Sequence, residues 1–392
     1  MGGIRALATG IVVAIVGFFS SFPIFLAGVE AMGASAAQAS SALMAGGLAM
    51  AVAGIVLALW TRTPASCAWS TPGAALLAGS GADAAGFSGA VGAFVVAGLL
   101  VVIAGFWRPL VRLAQSIPGP ITLAMLAGVL LPICFAPFRA LSEAPVVGCA
   151  ILGTWFLVSR LSRLFAVPAT VLVTLGLVIW WNGTLPLPDH VMTAPVWVTP
   201  SFSLQAVISL AIPLFIVTMA TQNIPGVAVL KANGYTPNPG PMFATVGALS
   251  VITAPFGAIA TNLAAITAAM CSDDDAHPDP AQRYWAAVWA GLFYAVFSVF
   301  AAVVTFVAAA APPMAMAALA GVALLPVFIN SMATAVTAPD TREAAMLTFV
   351  ITASGLSLFG IGGAVWGLIA GSAVHLVQVW RQARSTSTDP TE

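Results

Sequence analysis

The sequence has very little charge. Among its 392 residues only 12 are Lys or Arg and 12 are Asp or Glu, so charged residues make up 6% of the chain, whereas soluble domains carry about 25%. A soluble protein of this length would expose far more surface than so few charges could hydrate. Because 60% of the residues are apolar, the composition predicts an all-α polytopic membrane protein.

Other absences narrow the chemistry. The formal net charge is zero and no basic run occurs, which excludes nucleic acid as a partner. The four cysteines, Cys67, Cys134, Cys149 and Cys271, are far apart, so neither a zinc ribbon nor a disulfide framework is predicted. The sequence also lacks a Ser/His/Asp set, an HExxH motif and a P-loop. We therefore predict a protein that is not an enzyme and that uses no metal or cofactor.

Long apolar segments follow one another along the chain. The first begins after Arg5 and is too long for the apolar core of a signal peptide, so we expect it to remain as a span. Six segments are long enough to cross about 30 Å of hydrocarbon: 7–29, 37–60, 87–107, 117–136, 284–311 and 361–380. Six more are shorter or interrupted by proline and are also predicted to cross: 145–158, 165–181, 204–220, 242–255, 313–329 and 344–358.

Two further apolar segments, 64–78 and 256–270, are too short for an easy crossing. Both are rich in Gly, Pro, Ser and Thr, and broken backbone is tolerated at membrane depth only where it is buried in protein or lines a cavity. We predict that each consists of a short extended segment followed by a half-helix. They are the third and the tenth of fourteen spans.

The basic residues support this count and an orientation. If all fourteen spans cross and the N-terminus is cytoplasmic, Arg139 alone among the 12 basic residues falls outside. Such a bias is typical of cytoplasmic loops, and omission of one short span would invert part of the chain. We therefore predict a multi-pass protein of the inner (cytoplasmic) membrane, with both termini cytoplasmic.

A proline-rich loop, 184–202, divides the chain into seven spans and seven spans. Each half has a broken span in third position, and an odd number of spans gives the two halves opposite orientations. A pair of Gly/Pro-interrupted segments at matching positions is typical of inverted-repeat transporters and marks their binding site. The predicted fold is therefore two inverted repeats of seven spans.

The first broken span contains the run Trp69-Ser70-Thr71-Pro72-Gly73. Thr can cap free amides and proline is favoured in the first helical position, so we expect a half-helix to begin near Thr71 with Thr71 as its cap. Its N-terminus would carry about half a positive charge and unpaired N–H groups inside the membrane. These five residues are therefore candidate contacts for an anion.

In the second broken span, Thr261 or Asn262 can cap another half-helix. The two helix starts would face each other across a pseudo-twofold axis, and a carboxylate between them would meet two positive helix ends. Trp69, Phe256 and Phe18 are candidates for an apolar wall against a ring. Gly/Pro segments are also common as packed kinks, and a capping Thr is often only structural, but two segments at matching positions favour a binding site.

Polar residues of spans 8 and 1 have two open interpretations. Gln222 and Asn223 lie at the end of span 8 and either line the site or face the cytoplasmic interface. Ser20 and Ser21 precede Pro23 in span 1 and either contribute to the site or bond the carbonyls of the preceding turn. All four are candidate substrate-binding residues.

The acidic run from Asp273 to Asp279 is the only dense charged cluster. Its four carboxylates and His277 could ligate a divalent cation, as in intramembrane metal-dependent transferases that hold a diphosphate through magnesium. Those enzymes use two such clusters on different helices, and the sequence has no second cluster. We interpret the run as a solvated cytoplasmic loop and keep the transferase as an alternative function.

Three stretches of the chain resemble a known family. They are AWSTPGAALL at 68–77, IATNLAAITAA at 259–269 and FVITASG at 349–355. Together they resemble the benzoate/proton symporters, often called BenE, over nearly the whole chain. The resemblance implies the seven-plus-seven fold of nucleobase symporters and anion exchangers, in which a core that carries both half-helices moves against a gate.

The resemblance also implies a division into domains. The core would comprise residues 1–107 and 203–311 and the gate residues 108–183 and 312–381, followed by a cytoplasmic tail at 382–392. Nucleobase symporters carry acidic residues where this chain has Gln222 and Thr261, so their usual proton-handling carboxylates are missing here. A homodimer is left open.

The leading hypothesis is a secondary transporter that imports benzoate or a similar aromatic carboxylate with a proton by alternating access. Benzoate is an anion at neutral pH, since its pKa is about 4, and importing an anion against an inside-negative potential costs about 2.3 kcal/mol per 100 mV. One accompanying proton cancels that charge. A nucleobase or inorganic-anion transporter of the same fold is the alternative within transport.

Overall fold

The computed structural model describes residues 2–80, 86–185, 187–188, 190–358 and 361–387. The helices of the first half are α1 (Gly2–Phe19), α2 (Phe22–Ala31), α3 (Ala36–Thr61), α4 (Thr71–Ser80), α5 (Gly86–Phe106), α6 (Arg108–Ser116), α7 (Gly119–Cys134), α8 (Ala136–Glu143), α9 (Pro145–Leu161) and α10 (Ala166–Asn182). Those of the second half are α11 (Leu204–Ala206), α12 (Ile212–Thr218), α13 (Ile224–Ala232), α14 (Pro239–Thr253), α15 (Ala265–Ser272), α16 (Tyr284–Val299), α17 (Ala301–Ala309), α18 (Ala315–Thr337), α19 (Arg342–Ala353) and α20 (Gly363–Ser387).

Four short strands and several tight turns complete the chain. The strands are β1 (Cys67–Trp69), β2 (Thr261–Leu263), β3 (Ser357–Leu358) and β4 (Ile361–Gly362). Two π-helical turns, Val207–Ala211 and Met219–Asn223, join α11, α12 and α13 into one continuous helix.

Among the described residues, eight continuous helices are long and apolar enough to cross a membrane. The helix that ends at Val299 and α17 make a ninth crossing if they count as one span bent by 56°. The remaining predicted spans correspond to α9 and α10, which are apolar but shorter, to α19, and to the two broken spans. The expected polytopic all-α architecture, with discontinuous third and tenth spans, is confirmed.

The two broken spans meet through a short β-ladder. β1 and β2 pair antiparallel, with Trp69 opposite Thr261, and the Ser70 amide extends the ladder by donating to the Ala260 carbonyl over 2.8 Å. Extended backbone inside a membrane protein has no water to bond, so each strand needs the other as its partner. The ladder therefore ties the two halves of the chain together.

Helices from the two halves pack around the ladder in matching pairs. α5 packs against α14 as α3 packs against α16, and α2 packs against α4 as α13 packs against α15. Close approach depends on small residues, as is usual between membrane helices. A Cβ on Gly105 of α5, for example, would lie only 2.6 Å from the carbonyl oxygen of Gly240 in α14. This matching of helix pairs between the two halves is the packing expected of two inverted repeats.

A second group of helices packs beside the first. α7 contacts α18, α19 and α20, and α9 contacts α10 and α18. One large apolar cluster runs through α1–α5 and α12–α16. A smaller cluster lies within the second group, and another joins α7, α19 and α20 to Val217 of α12. Leu126 of α7 and Leu324 of α18 also belong to the large cluster, so α7 and α18 form much of the contact between the groups.

Three boundaries differ from the sequence prediction. The helix predicted at 344–358 ends at Ala353, because Gly355 adopts a left-handed conformation (φ +68°) that terminates helices. The short helices α6 and α8 lie largely between predicted spans. α20 continues to Ser387, into the predicted tail, and residues 388–392 of that tail lie outside the described residues.

Candidate functional site

The first half-helix, α4, begins at Thr71 as expected, but its cap is Ser70. The Ser70 hydroxyl accepts a hydrogen bond from the Gly73 amide (3.1 Å), and the Ser70 carbonyl accepts one from the Ala74 amide (2.8 Å). The prediction of Thr71 as the cap is wrong, because β1 ends at Trp69 and leaves Ser70 as the last residue before the helix.

The start of α4 is packed tightly against span 8. Ser70 is fully buried and shares a 2.8 Å hydrogen bond with the Thr218 hydroxyl of α12. Pro72 and Gly73 are also buried, and a Cβ on Gly73 would lie 2.8 Å from Ser70 Oγ and would clash with Leu214. The small Gly73 therefore allows α4 and α12 to approach each other.

The second half-helix, α15, has no side-chain cap. Its first residue is Ala265, and Ala264 precedes it. The predicted caps, Thr261 and Asn262, lie in β2 instead, so that prediction is wrong. Both residues are extended and belong to the ladder because they pair with residues of β1. The first amides of α15 therefore lack the side-chain acceptor that α4 has, although both helix starts carry the same kind of dipole.

Buried polar side chains complete the ladder. The Asn262 amide, oriented to satisfy its neighbours, accepts from the Ser70 amide (3.0 Å) and donates to the Leu263 carbonyl (2.8 Å). The Ser250 hydroxyl accepts from the Thr261 amide (2.8 Å) across a separation of 11 residues. The Thr261 hydroxyl is fully buried and has no hydrogen-bond partner within the described residues. Sequence reasoning missed Ser250, because no local motif marks it.

Span 8 and span 1 each contribute a polar side chain to a broken span. In span 8, Asn223 is fully buried and its side-chain oxygen accepts from the Leu263 amide (2.9 Å). In span 1, the Ser21 hydroxyl accepts from the Trp69 indole N–H (2.9 Å) and donates to the Gly17 carbonyl (2.7 Å). Asn223 therefore lies in the interior and not at the cytoplasmic interface, and Ser21 bonds both the preceding turn and the broken span.

Both positions are irregular points of their helices. Ser20 and Ser21 separate α1 from α2, and Asn223 ends a π-helical turn. Irregular helical turns of this kind are frequent at functional sites. Ser20 and Gln222 are half-buried, as is Thr71 at the start of α4. These three are the predicted polar residues that keep part of their surface open.

The predicted aromatic wall is only partly assembled. Trp69 is 1% exposed, and its ring centroid lies 5.2 Å from that of Phe18 and 4.9 Å from that of Phe25. Phe256 lies elsewhere, with its ring packed edge-on against Trp197 of the inter-repeat loop. Phe25 was not predicted, since a Phe within an apolar helix carries no distinguishing signal. Trp69 and Phe18 are thus packed together, and Phe256 belongs to another contact.

Two cavities lie between the two groups of helices. One, of about 120 Å³, is bordered by Ser80 at the end of α4, Val129 of α7 and Thr352 of α19. The other, of about 180 Å³, is lined almost only by apolar groups, among them Phe19 beside the break in span 1 and Val304 of α17. The two groups are therefore not fully packed against each other.

Three of the four carboxylates of the acidic run bond groups of the same loop or Arg283 at its end. Asp274 pairs with the Arg283 guanidinium, Asp273 accepts a hydrogen bond from the Asp275 amide (3.0 Å), and Asp279 caps the short helical turn that follows it. Within the described ranges, no group of three His, Cys, Asp or Glu residues is placed to hold a metal ion. The run is an ordered loop.

Two broken helices that pair inside a polytopic bundle define a membrane transporter of the inverted-repeat class. The chain belongs to one family of that class, since residues 3–377 match the BenE family model, described as benzoate membrane transport protein. The resemblance found in the sequence is thereby confirmed. The protein is a membrane transporter and not an enzyme, so the metal-dependent transferase interpretation is wrong.

Two relatives are similar over 95% of this chain and 95% of their own length. The inner membrane protein YdcO of Escherichia coli (strain K12) is 39% identical over 373 residues. The benzoate membrane transport protein of Acinetobacter baylyi (strain ATCC 33305 / BD413 / ADP1) is 28% identical over 375 residues.

Two solved structures share the fold. SLC26A9 superposes with a TM-score of 0.65 at 13% identity, over 97% of this chain and 65% of that chain, so this chain spans less than two thirds of its length. The transmembrane domain of BicA, a bicarbonate transporter of a cyanobacterium, gives a TM-score of 0.63 at 16% identity, over 94% of this chain and 96% of that one. These likenesses confirm the inverted-repeat architecture.

Proposed function

We propose that this protein imports benzoate or a similar aromatic carboxylate together with a proton, by alternating access. The observation that carries the proposal is the antiparallel ladder of the two broken spans, which places one helix N-terminus at each of its ends, that of α15 without a side-chain cap. A helix N-terminus is an anion site that needs no cationic side chain. The relative named benzoate membrane transport protein supports an aromatic carboxylate as the anion.

The candidate residues divide by burial into a scaffold and a contact set. The scaffold comprises the side chains of Trp69, Ser70, Asn223 and Asn262, each at most 1% exposed, and the backbone of Thr261. The equally buried Thr261 hydroxyl has no partner within the described residues, so it is not assigned to the scaffold. Their hydrogen bonds run along the ladder and to the helices on either side of it. A fully buried side chain whose polar atoms are already paired holds its neighbours in place more readily than it reaches a ligand. We assign these residues to holding the two helix starts.

The contact set comprises Ser20, Thr71 and Gln222, which are half-buried and come from three different spans. Hydroxyl and amide groups can donate to a carboxylate, and the first amides of α15 supply further donors. None of the three side chains is charged. The anion would then be held by dipoles alone, which suits a substrate whose charge is cancelled by a proton during transport.

The packing supports one part that moves against another. α1–α5 and α12–α16 share the large apolar cluster with the ladder, in line with a core of residues 1–107 and 203–311. α7–α10 and α18–α20 pack largely with one another, in line with a gate of residues 108–183 and 312–381. The cavities on their boundary leave room for the relative movement that alternating access requires.

Uptake into proteoliposomes tests the proposal. At about pH 7 about one benzoate molecule in 10³ is protonated, so protein-free vesicles measure the passive entry of the neutral acid. Labelled benzoate should enter the proteoliposomes faster than the protein-free vesicles when the interior is made alkaline. An imposed membrane potential should change the rate little, because benzoate with one proton carries no net charge.

Two outcomes would overturn the proposal or redirect it. Equal uptake by proteoliposomes and protein-free vesicles would contradict benzoate transport. Competition by unlabelled uracil, sulfate or bicarbonate, but not by unlabelled benzoate, would assign the protein to another substrate of the same fold. Uptake driven by an inside-positive potential and indifferent to the pH gradient would indicate an anion carried without a proton.

A further inference from the structure

Arg283 is a buried cation beside the C-terminus of α15, the end of this helix that is farther from the ladder. It is 8% exposed, and its Nη1 donates to the Ser272 carbonyl (2.6 Å) while its Nε donates to the His277 carbonyl (2.9 Å). The same guanidinium pairs with Asp274, whose side chain is exposed. One side chain therefore joins the last residue of α15 to the loop that follows it.

The carbonyl of Ser272, the last residue of α15, needs a hydrogen-bond donor from outside the helix. The last carbonyls of any helix lack intrahelical donors, and α15 has only eight residues, too few to be stable by backbone bonding alone. A guanidinium at this position supplies a donor and places a positive charge at the negative end of the helix dipole. Arg283 thus caps the C-terminus of a helix whose N-terminus has no side-chain cap.

The loop that carries Arg283 is itself held in place. Tyr235 follows α13, and its hydroxyl donates to the Pro280 carbonyl (2.9 Å). A tyrosine hydroxyl has an ordinary pKa of about 10 and is therefore protonated at neutral pH, and burial raises the pKa of Tyr235 further. Through Tyr235 and Arg283 the loop links the end of span 8 to the end of α15.

We propose that Arg283 is a positioning residue for the substrate site. The inference rests on the proposed function, because the start of α15 lies about 12 Å from its capped end, at 1.5 Å per residue, and is the helix start assigned to the carboxylate. Loss of the cap would let the last turn of α15 fray. In a helix of two turns, fraying at one end moves the amides at the other.

A matched control exists in the second group of helices. Arg342 Nε donates to the carbonyl of Val336 (2.8 Å), in the last turn of α18. Arg342 therefore makes the same kind of bond, but to a helix of 23 residues with no broken segment. Arg342→Gln removes one positive charge and one helix-end donor, as Arg283→Gln does, without touching α15.

Amide exchange and uptake kinetics together test the proposal. In Arg283→Gln, amide hydrogen exchange at residues 265–272 should accelerate by about tenfold or more, the equivalent of about 1.4 kcal/mol. The KM for benzoate should rise by a similar factor, with the maximal rate per inserted molecule nearly unchanged. Arg283→Lys keeps the charge but loses the fork, so its exchange rate and KM should fall between wild type and Arg283→Gln. Arg342→Gln should match wild type in both measurements.

The failures can be told apart. Unchanged exchange at 265–272 in both Arg283 variants would overturn the cap, whatever the substrate is. Faster exchange with an unchanged KM would overturn the positioning role while leaving the cap. No benzoate uptake by the wild-type protein would instead overturn the proposed function, and the exchange result would still decide whether Arg283 caps α15. If the Arg283→Gln variant does not insert into the membrane, amide exchange and KM are both measured on Arg283→Lys instead.

Discussion

The two broken spans meet in one ladder but begin their half-helices differently. α4 has ten residues and a side-chain cap from Ser70, which is itself bonded to Thr218. α15 has eight residues, no side-chain cap at its start, and an arginine at its far end. The backbone is repeated, whereas the polar side chains are not. The difference teaches that a symmetric fold can leave one of two equivalent helix starts available for an anion.

The largest effect is expected from giving α15 the cap that it lacks. Ala264 is 6% exposed and immediately precedes α15, so Ala264→Asp would place a carboxylate on the amides proposed for the substrate. Benzoate uptake should fall to the level of protein-free vesicles, while thermal unfolding in detergent shows that the protein stays folded. Uptake close to wild type would show that the start of α15 does not receive the carboxylate.

A neutral version of the same change separates the cap from its charge. Ala264→Asn has nearly the size of Ala264→Asp and can also cap the helix, but it adds no negative charge. It should raise the KM by about tenfold, the loss of one hydrogen bond to a charged group, and should leave some uptake. Complete loss in both variants together with a lower unfolding temperature would point to packing damage instead.

A smaller effect is expected from cutting the side-chain bonds that hold each strand. Asn223→Leu leaves the Leu263 amide without an acceptor in the interior, which should cost about 1–3 kcal/mol of stability. Ser21→Ala leaves only the Trp69 indole N–H unpaired, and a side chain can adjust more easily than a strand. The unfolding temperature should therefore fall further for Asn223→Leu than for Ser21→Ala. Equal decreases would show that the two side-chain bonds hold their strands equally well.

The smallest effect is expected at the cap of α4. Ser70→Ala removes the acceptor of the Gly73 amide and the partner of the Thr218 hydroxyl. A threonine hydroxyl in a helix can turn to a carbonyl of its own preceding turn, so the loss of stability should be about that of a helix cap, about 1 kcal/mol. Thr71→Ala is the matched control, because Thr71 lies inside the helix and is not its cap, so its stability should stay close to wild type. A larger loss in Thr71→Ala than in Ser70→Ala would reverse the assignment of the cap.

Local chemistry explains which features of the site could be predicted. Thr71 followed by Pro72 marks a helix start in any context, because proline fixes the backbone angle and needs no amide donor. The helix does begin there. The cap was predicted one residue too late, because the end of β1 decides it, and that strand exists only through its pairing with β2.

Other features could not be predicted, because their partners are distant in sequence. Asn223 bonds an amide 40 residues away, and Ser21 bonds an indole 48 residues away. A polar residue near a helix end suggests several roles equally well until the helices are packed. The acidic run was correctly interpreted as a loop, but nothing in the sequence pairs Asp274 with Arg283.

By itself, the sequence determined that the chain is a polytopic membrane protein with two broken spans, because a low charge count and interrupted apolar segments have few other physical solutions. Only the tertiary structure decided which helix start is capped, which side chains are buried in the ladder and which cation caps the C-terminus of α15. These outcomes depend on hydrogen-bond partners brought together by packing from opposite halves of the chain. In the membrane interior an unpaired polar group is costly, so that packing settles the role of each polar residue.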